Sequence, residues 1–118
     1  MFFSKQVTDK YGNKQVEFYL TQGDTAMFKS TPTKNGELID FSSILKCVFK
    51  VSDSDYNEIF SKEFEKDTEN FSVTLESNET SKFPIDTLIY EVEYTFIDGV
   101  VNTPNQGKLK ILDQVQGW

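Results

Sequence analysis

Apolar and polar residues alternate most strictly along Thr87-Leu-Ile-Tyr-Glu-Val-Glu-Tyr-Thr-Phe-Ile97. Leu88, Tyr90, Val92, Tyr94 and Phe96 share one face of an extended chain, and Glu91, Glu93 and Thr95 share the other. Successive strand side chains point to opposite sides, so this period of two predicts a long strand with one dry face. Asp98-Gly99 follows at once, and the pair predicts a tight hairpin turn with positive φ angles. A return strand over Val100 to Thr103 is expected to stop at Pro104. Gly107-Lys-Leu-Lys-Ile-Leu-Asp113 then makes a last strand with Leu109 and Ile111 inward.

The same reading carries through the rest of the chain. Residues 2–8 make a first strand, closed by the turn cluster Asp9-Lys-Tyr-Gly-Asn13. Gln15-Val-Glu-Phe-Tyr-Leu-Thr21 alternates, with Val16, Phe18 and Leu20 inward. Residues 25–31 make another strand, whose dry face is either Ala26 and Phe28 or Met27. Pro32 confines it to an edge or an end, because proline donates no ladder hydrogen bond. Lys34-Asn-Gly-Glu37 is a strong turn. The next stretch, to Ile44, reads as an irregular crossing with one helical turn capped by Asp40 or Ser42. Leu45-Lys-Cys-Val-Phe-Lys-Val51 places Leu45, Cys47, Phe49 and Val51 on one inward face. Residues 52–57 form a polar loop, and residues 58–65 have the weaker phase of an edge strand. Phe71, Val73 and Leu75 mark a clean strand. A helical turn over residues 78–83 ends at Pro84. Seven to nine short strands spaced by about 8–12 residues predict an all-β sandwich in one domain, residues 1–118.

Composition adds that the core is built on large rings, since 118 residues include 11 Phe and 5 Tyr. A chain of this length can close a core without covalent staples. No apolar run approaches the roughly 18–20 residues of a membrane helix. The first residues do not make a signal peptide, so the expected location is cytoplasmic or within an exported assembly. The net charge of −7 argues against nucleic acid and against anionic membranes as partners. With no histidine, the single Cys47 has no partner for nucleophilic chemistry and reads as a small buried hydrophobe.

Candidate chemistry is sparse. Asp53-Ser-Asp-Tyr-Asn57 resembles the start of a calcium-binding EF-hand loop. The glycine and glutamate that such a loop needs are replaced by Glu58 and Phe64, so a solvated loop is the better reading. Glu91 and Glu93 make a wet sheet face, or else an acidic docking surface. Asn70-Phe-Ser72 and Asn78-Glu-Thr80 match the glycosylation pattern by chance. No residue is nominated as catalytic, metal-binding or cofactor-binding, and no cofactor is expected. The chain is therefore expected to be non-enzymatic.

Asp86-Thr-Leu-Ile-Tyr90-Glu-Val92 resembles the corner of an immunoglobulin-like sandwich, where a tyrosine hydroxyl ties back to nearby backbone. Val92 stands where the antibody pattern has a cysteine. Three ordered pieces extend the likeness: Leu20-Thr-Gln-Gly-Asp-Thr25, Gly36-Glu-Leu-Ile-Asp-Phe-Ser-Ser-Ile44, and Val73-Thr-Leu-Glu-Ser-Asn-Glu-Thr80 with Phe83-Pro84 and Leu88-Ile-Tyr-Glu-Val92. In this order they resemble the small immunoglobulin-like domains of phage tail and baseplate proteins, of the type at the N-terminus of the baseplate upper protein. The family's usual glycine before the Tyr-bearing strand is replaced by Asp86-Thr87. The resemblance implies an immunoglobulin-like antiparallel β-sandwich with a structural role in a phage or prophage tail. Its partners would be other tail proteins or further copies of itself, in the virion or in the host cytoplasm before assembly. A bacterial carbohydrate-binding or adhesion module is the competing expectation, with Tyr11, Tyr19, Tyr56 and Trp118 as stacking rings. A hydrolase would need a gathered carboxylate pocket.

Overall fold

In the computed structural model, the described residues are 1–8, 11–12, 14–34, 37–38, 40–67 and 70–113. In chain order the elements are β1 (Phe2–Thr8), β2 (Lys14–Thr21), β3 (Ala26–Ser30), β4 (Thr33–Lys34), β5 (Glu37–Leu38), a 3-10 turn (Phe41–Ser43), β6 (Ile44–Ser52), β7 (Glu58–Glu63), β8 (Glu65–Lys66), β9 (Phe71–Leu75), α1 (Ser77–Thr80), β10 (Thr87–Phe96) and β11 (Val101–Leu112). Eight of these strands have five residues or more; β4, β5 and β8 have two each.

The strands divide into a six-stranded sheet, β1-β2-β11-β10-β6-β7, and a three-stranded sheet, β3-β9-β8, with β4 and β5 paired on their own. Strands β11-β10-β6-β7 facing β3-β9-β8 reproduce the two-sheet arrangement of an immunoglobulin-like sandwich. The fold is thus an all-β sandwich of that kind, as expected. Among the described residues all the pairings are antiparallel except one: β11 lies parallel to β2, with Leu109 opposite Phe18 and Ile111 opposite Leu20.

The core is the inner face of both sheets. β10 lies between β11 and β6 and buries Leu88, Tyr90, Val92 and Tyr94. β9 contributes Phe71, Val73 and Leu75, and β3 contributes Ala26 and Phe28 while Met27 faces solvent. Rings run through this core in contact. Phe28 stacks on Phe49 with centroids 4.4 Å apart, and Phe18 meets Phe28 and Tyr90 edge-on at 4.9 and 5.0 Å. Such pairs add about 0.5–1.5 kcal/mol each beyond area burial. Ser30 and Tyr94 hydrogen-bond through their hydroxyls inside the core, so neither polar tip is left unpaired.

Four local expectations need correction. Leu45 is 66% exposed, and Ile44 takes the buried place at the start of β6. The cause is a β-bulge: Lys46 pairs with Thr95 and Ile44 with Phe96, so Leu45 is the extra residue and the period of two is broken. The return strand does not stop at Pro104; it and the expected last strand are one continuous strand. β11 continues through it, because Val92 pairs with Asn105 and Tyr94 with Asn102, which leaves Thr103 and Pro104 together opposite Glu93. A bulge is where a proline can sit without losing a ladder bond. At the hairpin tip only Gly99 takes a positive φ, 89°. Its N–H donates to the Phe96 carbonyl and the Phe96 N–H to the Val100 carbonyl, so three residues rather than two turn the chain. Finally, Val16 is 37% exposed: it lines a pocket with Phe18, Phe28 and Lys29 rather than being closed into the core.

The helical turn expected in the crossing is present as the 3-10 turn Phe41–Ser43, with the Asp40 carboxylate accepting the N–H and hydroxyl of Ser42. The predicted helical turn is α1, and the Lys34–Glu37 turn is flanked by the β4–β5 ladder; its own residues 35 and 36 lie outside the described residues. So do parts of the 9–13 turn and residues 114–118, including Trp118. Among the described residues no helix is long and apolar enough to cross a membrane.

Candidate functional site

The strand directions bring four connections to one end of the sandwich: the residues between β1 and β2, those between β3 and β6, those between β8 and β9, and the β10–β11 hairpin. In variable immunoglobulin domains, loops at one end carry recognition. Here the β10–β11 hairpin is pinned from the side, because the Ile97 N–H donates to the Ser43 carbonyl at 3.0 Å. The Val100 N–H donates to the Asp98 carboxylate, also at 3.0 Å, which holds the tip from within. Around this tip Ile97 is 69% exposed, Leu45 66%, and Val100 and Val101 55% each. Val101 pairs directly with Thr95, and the Leu45 bulge of β6 sits beside the same residue, so three of these residues are on the hairpin and the fourth is on the neighbouring strand. A turn is ordinarily polar, whereas this braced one exposes aliphatic side chains.

The opposite end is tied down by hydrogen bonds. The Ser77 hydroxyl donates to the Gly23 carbonyl at 2.6 Å and the Thr80 hydroxyl to the Asp24 carbonyl at 2.8 Å. The Gln22 amide donates to the Phe83 carbonyl at 2.6 Å. Beside this end a pocket of about 430 Å³ opens between β7 and the segment after α1, lined by Ile59, Phe60, Phe83 and Pro84 with Asp53, Glu79 and Lys82 at its rim.

No protein-family model matches the chain, and no curated protein matches it. Among solved structures it is similar to CopC from Methylosinus trichosporium OB3b, with a TM-score of 0.48 and 10% identity over 98% of this chain and 100% of that one. It is also similar to the extracellular domain of mouse leukocyte-associated immunoglobulin-like receptor 1, solved as a strand-swapped dimer. There the TM-score is 0.44, with 10% identity over 85% of this chain and 83% of that one. Likenesses this distant say nothing about activity.

The residues singled out from the sequence do not converge. Tyr11 belongs to the β1–β2 connection and Tyr56 to the β6–β7 loop, at opposite ends of the sandwich; both are well exposed. Tyr19 is covered on its two faces, by Phe3 stacked at 4.7 Å and by the Lys110 ammonium 5.3 Å from its centroid. A sugar-stacking platform needs a free ring face, which Tyr19 lacks. Asp53 opens its loop by accepting the N–H groups of Asp55 and Asn57 at 2.9 and 3.0 Å. Those bonds hold its carboxyl below the usual carboxylate range and employ it as a turn former. Glu93 is paired with Lys50 at 3.1 Å on the outer sheet face. Thr80, third residue of one glycosylation pattern, is fully buried against Asp24. Cys47 is buried, and desolvation pushes its thiol up to about 12.

The aliphatic hairpin tip escaped sequence reasoning because Val100 and Val101 read as an ordinary strand start. The available signal was Ile97 immediately before Asp98-Gly99, an apolar residue where a turn is expected to be wet.

Proposed function

We propose that this chain is a non-enzymatic interaction module that docks other proteins through the hairpin end of its sandwich. The exposed cluster of Leu45, Ile97, Val100 and Val101 carries this reading. It presents apolar surface on a hairpin whose geometry is set before any partner arrives, which limits the ordering cost of binding. The assembly we propose is a phage or prophage tail or baseplate, with the chain in the particle; the ordered motifs between Leu20 and Val92 support that assignment. Partners would be another tail protein or further copies of the chain. The scattered and covered tyrosines give the carbohydrate-binding reading no comparable footing.

The test is Ile97→Lys combined with Val101→Lys. Both side chains are exposed, so the folded state should persist, while docking should weaken at least tenfold when measured against the co-expressed neighbouring tail proteins. A chain that stays monomeric at high concentration by light scattering, and is missing from purified particles, would refute the proposal.

A further inference from the structure

The six-stranded sheet ends at β7, and among the described residues no strand pairs with its outer side. The Phe64 N–H donates to the Cys47 carbonyl at 2.8 Å, and Phe60 and Lys62 lie opposite Val51 and Phe49. In an antiparallel ladder of that phase, the N–H and C=O groups of Ser61 and Glu63 point away from β6, toward the open edge. Phe64 then turns into the core, 5% exposed, as the chain leaves for β8. The open edge is therefore β7 itself, with Ile59 as the extra residue of a bulge near its start and a regular ladder from Phe60 onward.

Exposed edges are usually blunted by proline or by an outward lysine. β7 has no proline, and its one lysine is engaged elsewhere: the Lys62 ammonium lies 2.8 Å from both the Thr74 carbonyl and the Glu79 carboxylate. What remains along the edge is acidic, with Glu58 and Glu63 on β7 and Glu65 just beyond it. Lys66 follows Glu65, Lys82 lines the pocket, and the Lys50 ammonium lies 4.0 Å from the Glu58 carboxylate. The pocket of about 430 Å³ is lined by Ile59 and Phe60, on β7 itself, and by Phe83 and Pro84. An open edge with a side-chain pocket beside it is the arrangement by which domains accept an extended peptide: backbone bonds give affinity and the pocket gives selectivity.

We propose that the edge of β7 receives an extended basic segment of a partner protein as an added strand, with one bulky apolar side chain seated in the Ile59–Phe60–Phe83–Pro84 pocket. A second copy of this chain is a poor occupant. It would bring an identical edge carrying Glu58 and Glu63, without the positive charge that this acidic edge favours. This surface is separate from the hairpin end, and either can fail without the other.

The probe is the capped synthetic peptide Lys-Thr-Lys-Phe-Lys-Thr-Lys, titrated into the isotopically labelled full chain and followed by amide chemical shifts. Shifts should concentrate at Ser61, Glu63 and Phe83. Replacing the peptide's phenylalanine by alanine, or its lysines by glutamates, should weaken binding at least tenfold. Ser61→Pro removes an outward N–H that makes no ladder bond to β6, so the remaining spectrum should hold while peptide affinity falls at least tenfold. Shifts centred on the hairpin end or β1, unchanged affinity in the Ser61→Pro chain, equal binding of the glutamate peptide, or no shifts at millimolar peptide would each overturn the proposal.

Discussion

The Tyr90 hydroxyl reaches the Val16 carbonyl, at 2.8 Å, across a position that has no side chain. Gly107 lies directly opposite Tyr90 in the β10–β11 ladder. A Cβ there would stand 2.7 Å from the Val16 oxygen and 2.9 Å from the Tyr90 ring and hydroxyl. Burial also pushes the Tyr90 hydroxyl up to about 12, so it stays a donor at any ordinary pH. Tyr90→Phe is expected to cost about 1–2 kcal/mol, the loss of a bond that satisfies a carbonyl. Gly107→Ala is expected to cost roughly 1–3 kcal/mol by overpacking. Because both changes act on the same Val16 carbonyl, the double variant should lose less than the sum, by urea denaturation. Additive losses, or no loss from Tyr90→Phe, would reduce this tyrosine to ordinary core. Sequence reading picked out Tyr90 but tied it to a corner near Asp86. The actual acceptor is 74 residues away, a separation that no local spacing discloses. Asp86 instead bonds the adjacent Thr87 N–H with its carboxylate and takes the Ile111 N–H on its carbonyl.

Elements were legible where hydrophobic period and pairing register coincide. β9 and most of β10 were read residue by residue, because nothing interrupts their period of two. Leu45 and Pro104 were misplaced for one shared reason: a bulge depends on the register of the neighbouring strand, and that information lies outside the segment. The short α1 was legible from its polar run and Pro84, yet its anchoring was not. The Glu79 carboxylate accepts the Glu76 N–H at 2.9 Å and pairs with Lys62 at 2.8 Å, joining α1 to β7. The backbone bond from Glu76 and then the bond from Lys62 hold the Glu79 carboxyl below its ordinary value of 4.5. With the folded-state pKa depressed, this stabilisation is fully present above the unfolded-state pKa. It is lost as pH falls through the folded one. Glu79→Gln should therefore lower stability near neutral pH by about 1 kcal/mol, given partial solvent screening. The gap from the natural chain should close as pH drops through the range where the carboxylate protonates. Urea midpoints at matched pH values measure this; a gap that stays constant into acid would show that the carboxylate's charge contributes nothing.

At the scale of the whole molecule, alternation and turn spacing sufficed for an all-β sandwich, since both sheets need one dry face whatever their strand order. The parallel β2–β11 pairing, the division of strands between sheets and the aliphatic hairpin end were illegible, because each depends on which segments meet in space. Cys47 offers a measure of how firmly those segments hold together. It lies on β6 with no accessible surface, opposite Tyr94 on β10, and its thiol is pushed up to about 12 by burial. Reaction with a thiol reagent requires exposure and a thiolate, and both demand that the inner face of β6 be uncovered. Labelling should therefore be negligible in the native chain, and its free energy should fall with urea along the same slope as global unfolding. A shallower slope would reveal a local route to Cys47. Such a route would have to pass β7 or the Leu45 bulge, because those flank β6 where the covering strands stop. The slope thus distinguishes a sandwich that opens only as a unit from one whose acceptor edge peels first.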